Sequence, residues 1–479
     1  MKKKIIISKL FLYRYRFVIG YVVLSLALIL LLFMLPIYAQ NGLSVAEIDS
    51  ATNAYALGFD APLNGDLVDL PYRVLQKISI KFFGLTPYAI KLPSIVVGFM
   101  LAFLLILLLN RWFKSNVSLL ASILVILSTP FLFLAGSGTP LIMLVFWPTL
   151  LLWLGSKIQG EKRPKPMYSL LFALAMLFAI FTPYMIYFAI FCVFFVCMQP
   201  HLRFVVKSLP KLPLAIVGAI VIAGMVILTL NIINHPDTIM ELLFVPGFEA
   251  SRFFPNIGSG FAPIFMWSGS VESVFLTPLM GLPMVALALI GLCSTTKGFF
   301  ASRNSIATLL IIFSLIITGF NQNAAVFLIL PFAILIAHGL RYMLEKWYGL
   351  FPENPYARVA ALIPLSALFG IMIVPSLLQY INGYRYNPSV SNQFNYDLGV
   401  IRKNITDGTL VVGEYYDFYR ILEDFTDVTV VDVIGDAKPE KLAVLHNTIE
   451  DKGYILTNIF TSPMRENSDI IYLYTVKGE

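Results

Sequence analysis

About eleven apolar runs recur along the sequence, and they constrain the fold more than any other feature. A helix needs about 20 mostly apolar residues to cross a bilayer. The chain is 58% hydrophobic and only 13% charged, roughly half the charged fraction of a soluble domain. We therefore predict an α-helical polytopic membrane protein. The candidate spans cover residues 17–39, 92–110, 117–135, 139–155, 168–182, 183–198, 212–232, 279–295, 305–320, 323–341 and 357–381.

The number of helices around Thr182 and Pro183 is not decided by the sequence. The two runs on either side of Thr182 and Pro183 are short. They form either two helices or one helix kinked at the proline.

Basic residues between the runs alternate along the chain, and this pattern orients it. Lysines and arginines close to a span mark the cytoplasmic side. They cluster at residues 2–4 and then in every second connection as far as Arg358. We predict a cell-membrane protein with a cytoplasmic N-terminus, whose loops 40–91 and 233–278 and C-terminal segment 383–479 are extracytoplasmic. Because the net charge of +7 reflects orientation, we exclude nucleic acid as a partner.

The composition changes after residue 383, where hydrophobicity falls and charge rises. We divide the chain into a transmembrane domain, 1–382, and a C-terminal domain, 383–479. Predicted strands alternate with helices in the second, which indicates a small α/β domain with parallel strand pairing. The predicted strands cover 409–413, 428–433, 454–458 and 470–476, and the predicted helices cover 415–424 and 439–451.

The first loop contains a helix-start signal. Ser44 and Glu47 have the spacing of a capping box, which predicts a helix over about 45–57. Glu47 and Asp49 are two positions apart, so they do not share one helix face. One carboxylate can therefore face a cavity while the other faces water.

A second, amphipathic helix is predicted over 70–83. Its apolar face would lie on the membrane interface or on the helix bundle. Arg73, Lys77 and Lys81 form one basic stripe. We interpret this stripe as side chains that snorkel toward lipid headgroups.

The second long loop, 233–278, offers one cation in an unusual setting. Arg252 stands among aromatic residues, and an arginine at the membrane surface suits a phosphate with a lipid tail. His235 and Asp237 are close in sequence, but two ligands without a third do not make a metal site.

Two absences from the sequence argue against some classes of membrane protein. The sequence contains no Walker A, HExxH or GxSxG motif, and few charges lie within the spans, which disfavours an ion-coupled transporter. An acidic, structured loop with cations nearby suits a lipid-linked anionic substrate. A carboxylate can act as general base while a cation holds a phosphate leaving group.

Several short motifs of the first 200 residues occur in the same order as in a known family. Residues 46–51 (AEIDSA) occupy the place of an Asp-Glu motif, 83–85 (FGL) and 91–93 (KLP) resemble Phe-Gly and Arg-Leu-Pro strings, and 138–140 (GTP) is a further match. In this order, the sequence over about 10–200 resembles the GT-C glycosyltransferases that use polyprenyl-phosphate sugars, such as the protein O-mannosyltransferases and the lipid A aminoarabinose transferases. It departs from their pattern at Ala46, Lys91 and Leu141, where they have Asp, Arg and often an acid.

The resemblance implies a membrane glycosyltransferase that moves a sugar from a polyprenyl phosphate to a protein, lipid or glycan acceptor at the outer face. Glu47 or Asp49 would be the general base, or would bind a divalent cation; no other cofactor is indicated. Lys91 and Arg252 would hold the donor phosphate. The alternatives are a catalytically inactive relative, a flippase for lipid-linked glycans and a non-catalytic membrane scaffold. The second-rank site candidates are Asp69 and His235.

Overall fold

The architecture is taken from a computed structural model, in which most of the chain is described. The described residues are 11–39, 42–58, 67–160, 166–208, 211–243, 250–265, 280–296, 301–350, 356, 360, 362–387, 390, 393–394, 397–405, 407–432, 441–445, 453–461 and 470–476.

The elements described in the first four fifths of the chain are helices. The α-helices are α1 (Phe11–Ala39), α2 (Val45–Ala56), α3 (Leu70–Phe83), α4 (Pro87–Trp112), α5 (Ser115–Ile126), α6 (Thr129–Gly136), α7 (Met143–Gly160), α8 (Pro166–Ala179), α9 (Met185–Met198), α10 (Pro200–Ser208), α11 (Lys211–Asn234), α12 (Asp237–Leu243), α13 (Phe253–Phe265), α14 (Leu282–Thr296), α15 (Ser302–Phe320), α16 (Ile329–Leu350) and α17 (Leu362–Tyr386). Short 3-10 helices cover Pro140–Ile142, Ala250–Arg252 and Gln322–Leu328.

Many of these helices suit a bilayer. Among the described residues, six helical segments are long and apolar enough to cross it, or eight if each of two bent pairs is one span. Three shorter apolar helices accompany them. Each predicted run coincides with one of these helices or pairs, so the prediction of a polytopic helical protein is confirmed.

The two runs around Thr182 form separate helices, α8 and α9. Tyr184 between them has a φ of 63°, a left-handed conformation that interrupts a right-handed helix. Its backbone N–H donates to the carbonyl of Leu242 at 3.1 Å. The break is therefore held in place by α12.

Helices α14 and α16 approach each other at two glycines. A Cβ atom added to Gly291 would lie 2.0 Å from the carbonyl oxygen of Leu335, and one added to Gly339 would lie 2.1 Å from that of Leu287. Small residues allow this kind of close backbone contact between membrane helices.

We expect Gly339→Ala to destabilise the bundle by about 1–3 kcal/mol or more, the usual cost of overpacking. The clash is with main chain, so no rotamer change relieves it. The matched control is Gly370→Ala in α17, where an added Cβ meets nothing within 4 Å and Ala gains about 1 kcal/mol of helix propensity. Thermal unfolding in detergent compares the variants; equal midpoints would contradict the close contact.

The helices and strands described after α17 are α18 (Asp397–Asn404), β1 (Asp407–Val411), α19 (Tyr416–Arg420), β2 (Asp427–Val431), β3 (Lys441–Leu445), β4 (Tyr454–Phe460) and β5 (Ile471–Val476). They belong to the segment predicted as the C-terminal domain. The five strands form one sheet in the order β2-β1-β3-β5-β4. Strand β1 pairs in parallel with β2 and β3, whereas β5 is antiparallel to β3 and β4. The small α/β domain is confirmed, but its sheet is mixed rather than parallel.

The helix predicted over 439–451 is wrong where the structure describes it. Residues Lys441–Leu445 form the central strand β3, paired on both sides, and the rest of the predicted helix lies outside the described residues. Four consecutive residues of this strand are buried. A strand buried on both faces has a continuous apolar run, and periodicity cannot distinguish such a run from a buried helix.

The C-terminal domain packs directly on the first loop. The hydroxyl of Tyr55 at the end of α2 donates to the carboxylate of Asp424, and Arg402 donates to the carbonyl of Leu85 at 3.2 Å. One apolar cluster joins the two regions. Its buried members include Ile48, Ala51, Ile80, Leu85 and Ile90 from the first loop and α4, and Leu398, Ile401, Leu410, Phe418, Tyr419 and Leu422 from the C-terminal domain.

Candidate functional site

The site is built on the capping box at the start of α2. The backbone N–H of Glu47 donates to the hydroxyl oxygen of Ser44 at 3.4 Å, and the backbone N–H of Ser44 donates to Oε2 of Glu47 at 2.8 Å. This reciprocal pair is the predicted capping box. It fixes the carboxylate of Glu47, which is fully buried.

Glu47 is also the centre of a buried ion pair. Its Oε1 accepts the backbone N–H of Gly138 at 2.6 Å and lies 3.8 Å from Nζ of Lys91. Lys91 is 2% exposed and donates to the carbonyl of Gly42 at 2.7 Å. Its Nζ lies 5.6 Å from the ring centre of Phe394. Two site residues chosen from the sequence are thus brought together, and they connect α2, α4 and the turn after α6.

A buried glutamine, which the sequence did not single out, supports this turn. Nε2 of Gln76 donates to the carbonyls of Gly138 at 2.9 Å and Ile90 at 3.2 Å, while its Oε1 accepts the hydroxyl of Ser50 at 2.8 Å. A Cβ added to Gly138 would lie 2.8 Å from a side-chain carbon of Ile90. The turn therefore needs a glycine to bring its N–H to Glu47.

Helix α3 buries three polar residues, Gln76, Lys77 and Ser79, and exposes part of its apolar side. Gln76 is fully buried, whereas Phe82 is 80% exposed and Leu75 and Ile78 are 42% exposed. This arrangement suits a helix whose apolar face lies on a membrane interface, one of the two predicted positions.

The basic stripe on α3 does not act as a unit. Lys77 is buried and donates to the carbonyl of Tyr55 at 3.0 Å and to that of Leu57, which satisfies acceptors at the C-terminal end of α2. Burial, with Lys81 nearby, lowers the pKa of Lys77. The interpretation that Lys77 snorkels toward lipid is therefore wrong.

A tyrosine hydroxyl extends the buried polar network. The hydroxyl of Tyr72 lies 2.7 Å from that of Ser94, which donates to the carbonyl of Thr139 at 3.3 Å. Burial raises the pKa of Tyr72, and the negative charges of Glu47 and Asp69 add to the effect. The hydroxyl therefore keeps its proton and remains a donor.

Asp49 lies on the other side of α2 from Glu47. Its side chain is exposed. Burial raises the pKa of Tyr415, and the carboxylates of Glu414 and Asp49 raise it further. Asp49 therefore lies near Tyr415 of the C-terminal domain. Since Glu47 is buried and Asp49 is exposed, the expectation that the two carboxylates occupy different faces is confirmed.

The remaining candidates occupy separate places. Asp69 precedes α3 with a φ of 55°, and its N–H donates to the carbonyl of Phe181 at 2.8 Å. Arg252 is exposed and precedes α13, which packs on α15, and His235 is exposed between α11 and α12. These last two residues lie on elements other than those that form the Glu47–Lys91 pair.

A metal site does not emerge from the described part of the chain. Within it, no three His, Cys, Asp or Glu side chains come together as a group that could hold a metal ion. His235 and Asp237 remain two residues without a third ligand among those described.

Known proteins resemble this chain in structure but do not match it in sequence. No protein-family profile matches the sequence, and no curated protein matches it either.

Solved structures match over almost the whole chain. ArnT from Cupriavidus metallidurans bound to undecaprenyl phosphate has a TM-score of 0.53 and 13% identity, covering 95% of this chain and 98% of that one. Its apo state has a TM-score of 0.51 and 12% identity, covering 96% and 98%.

An archaeal structure matches as well. The Archaeoglobus fulgidus oligosaccharyltransferase tethered with an acceptor peptide has a TM-score of 0.51 and 10% identity, covering 85% of this chain and 63% of that one. Identities this low establish the fold alone. The protein has the GT-C fold, as the resemblance of its first 200 residues predicted.

Proposed function

We propose that this protein is an integral membrane glycosyltransferase that moves a sugar from a polyprenyl phosphate to an acceptor at the extracytoplasmic face. The observation that carries the proposal is the likeness, over 95% of the chain, to ArnT captured with undecaprenyl phosphate. The oligosaccharyltransferase of the same fold was captured with an acceptor peptide, which supports an acceptor as the second substrate.

The geometry favours Asp49 over Glu47 as the general base. Both oxygens of Glu47 already accept hydrogen bonds, and its charge is paired with Lys91. Neither oxygen can therefore approach an acceptor hydroxyl without breaking one of these contacts. Asp49 is exposed on the same helix, so an acceptor can reach it from solvent.

The proposed reaction is a displacement at the anomeric carbon of the donor. Asp49 takes the proton of the acceptor hydroxyl, the acceptor oxygen bonds to the anomeric carbon, and the bond from that carbon to the phosphate oxygen breaks. Polyprenyl phosphate leaves with the bonding electrons. A cation at the departing phosphate stabilises the charge that develops.

Lys91 and Arg252 are the proposed cations for the donor phosphate. Lys91 is buried beside Glu47, so its proposed contribution is the electrostatic effect of its charge, and the direct contact with the phosphate is assigned to Arg252. Arg252 is exposed next to aromatic residues, and its planar guanidinium can bind phosphate with two hydrogen bonds. Asp69 and His235 remain of second rank.

The test uses membranes that contain the overproduced chain, supplied with a polyprenyl phosphate that carries a radiolabelled sugar. We expect label to move from the lipid to an acceptor, and unlabelled undecaprenyl phosphate to inhibit the transfer. Membranes without the chain are the control. Labelled lipid that crosses the bilayer without any transfer would contradict the proposal and favour a flippase.

A further inference from the structure

A second cluster of charged side chains lies at the opposite end of the helix bundle. Nη1 of Arg303 donates to the carbonyl of Trp112 at 2.7 Å. Trp112 ends α4, the helix that carries Lys91 near its start. At a rise of about 1.5 Å per residue, about 30 Å of helix separates the two positions. This cluster therefore belongs to a different site.

The cluster surrounds a polar cavity of about 290 Å³ at the ends of α14, α15 and α16. Arg303, Arg341 and His338 line it, together with Asn304 and Glu345. His338 is 4% exposed, and its Nε2 makes no hydrogen bond to any described residue. A buried polar atom without a partner is destabilising, so a ligand oxygen in the cavity would satisfy it.

The cavity is positively charged. Arg341 pairs with Glu345 at 2.7 Å in an exposed salt bridge, and the two arginines and one glutamate that line the cavity leave a net charge of +1 there. The Arg303 guanidinium lies 5.3 Å from the ring centre of Phe113, and the ring of His338 meets the same phenyl edge-on at 4.8 Å. Both groups are thus held in place before any ligand arrives, as oxyanion binding requires.

An apolar cavity of about 310 Å³ shares Arg303 with the polar one. Its lining includes Trp112, Leu151, Phe172 and Phe191. The guanidinium of Arg303 therefore lies between a positively charged cavity and an apolar one. A ligand that fills both must carry an anionic head and a hydrocarbon chain.

We propose that this composite site binds an anionic phospholipid. Its phosphate lies against Arg303, Arg341 and His338, and one acyl chain occupies the apolar cavity. Basic residues predict that this end of the bundle faces the cytoplasm, where anionic lipids are enriched. The proposal does not depend on glycosyl transfer.

The test measures how many lipids the purified protein retains in detergent, by native mass spectrometry, after titration with phosphatidylglycerol, phosphatidylcholine or sodium phosphate. We expect retention of phosphatidylglycerol at concentrations at least tenfold below those needed for phosphatidylcholine. His338→Phe preserves the ring contact with Phe113, and Arg303→Gln removes the charge; each should weaken this binding at least tenfold. Lys441→Gln changes an exposed cation in the C-terminal domain, outside the lining of both cavities; it is the control and should bind as the wild type does.

Three outcomes would overturn the proposal. Equal retention of the two lipids would show that the site does not select an anionic head group. Wild-type binding in both His338→Phe and Arg303→Gln would show that the lipid binds elsewhere on the protein. Saturation of the site by sodium phosphate, with no added affinity from the acyl chains, would make it a site for a free anion. If Arg303→Gln does not fold, His338→Phe still decides the question.

Discussion

Replacing Lys91 with Met will lower the free energy of unfolding by about 3–5 kcal/mol, the usual cost of removing one partner from a buried ion pair. Glu47 and Lys91 are 0% and 2% exposed, so no water replaces the lost ammonium. The carbonyl of Gly42 loses its donor as well. Met retains the length of the lysine stem, and the loss therefore reports charge more than volume. Thermal unfolding in detergent measures it.

Two variants make the Lys91 prediction specific. In the double variant Glu47→Gln/Lys91→Met no charge remains buried at the pair, so it should recover part of the stability lost in the single variant. Lys441→Met breaks an exposed pair with Asp407, and pairs of that kind contribute about 0–1 kcal/mol. The account is wrong if Lys91→Met unfolds at the same midpoint as Lys441→Met.

Asp49→Asn will reduce the rate of sugar transfer by about 10²–10⁴-fold, the usual contribution of a general base. This prediction rests on the proposed function. Asp49 is exposed and outside the buried network, so the midpoint of thermal unfolding should stay unchanged. Glu47→Gln should lower both transfer and unfolding midpoint, because Glu47 holds α2 in place.

Asp417→Asn is the matched control for Asp49→Asn, since Asp417 is an exposed carboxylate on the neighbouring α19. It should transfer sugar at the wild-type rate. If Asp49→Asn is as active as Asp417→Asn while Glu47→Gln is inactive yet stable, the two carboxylates have exchanged roles and our assignment fails.

The helical part of the fold could be predicted because its signal is local. An apolar run of about 20 residues has few alternatives to a membrane helix, and the capping box of Ser44 and Glu47 sets the start of α2. The C-terminal sheet was harder to predict from the sequence. Strand β3 lies between two other strands, and its burial on both faces removes the alternation that marks a strand.

The candidate site was only partly visible because its contacts are long-range. Glu47 and Lys91 were each chosen by their resemblance to a motif, yet nothing in the sequence pairs them. The N–H of Gly138 is a backbone donor 91 residues from Glu47, and a backbone donor has no side-chain signature.

Lys77 and Gln76 show a further limit. An amphipathic helix in a soluble protein buries its apolar side, whereas α3 buries Gln76 and Lys77 and leaves Phe82 exposed. The amphipathic pattern is the same in both settings. Only the packing of α3 on α2 and α4 decides which side faces the protein.

The most direct test of the central claim is to map where undecaprenyl phosphate, with a photoreactive group beside its phosphate, crosslinks to the protein. The account predicts adducts on peptides from residues 42–94 or on the peptide that contains Arg252, prevented by an excess of unmodified undecaprenyl phosphate. Adducts confined to the opposite end of the bundle, around Arg303 and His338, would contradict it, as would labelling that the unmodified lipid does not reduce.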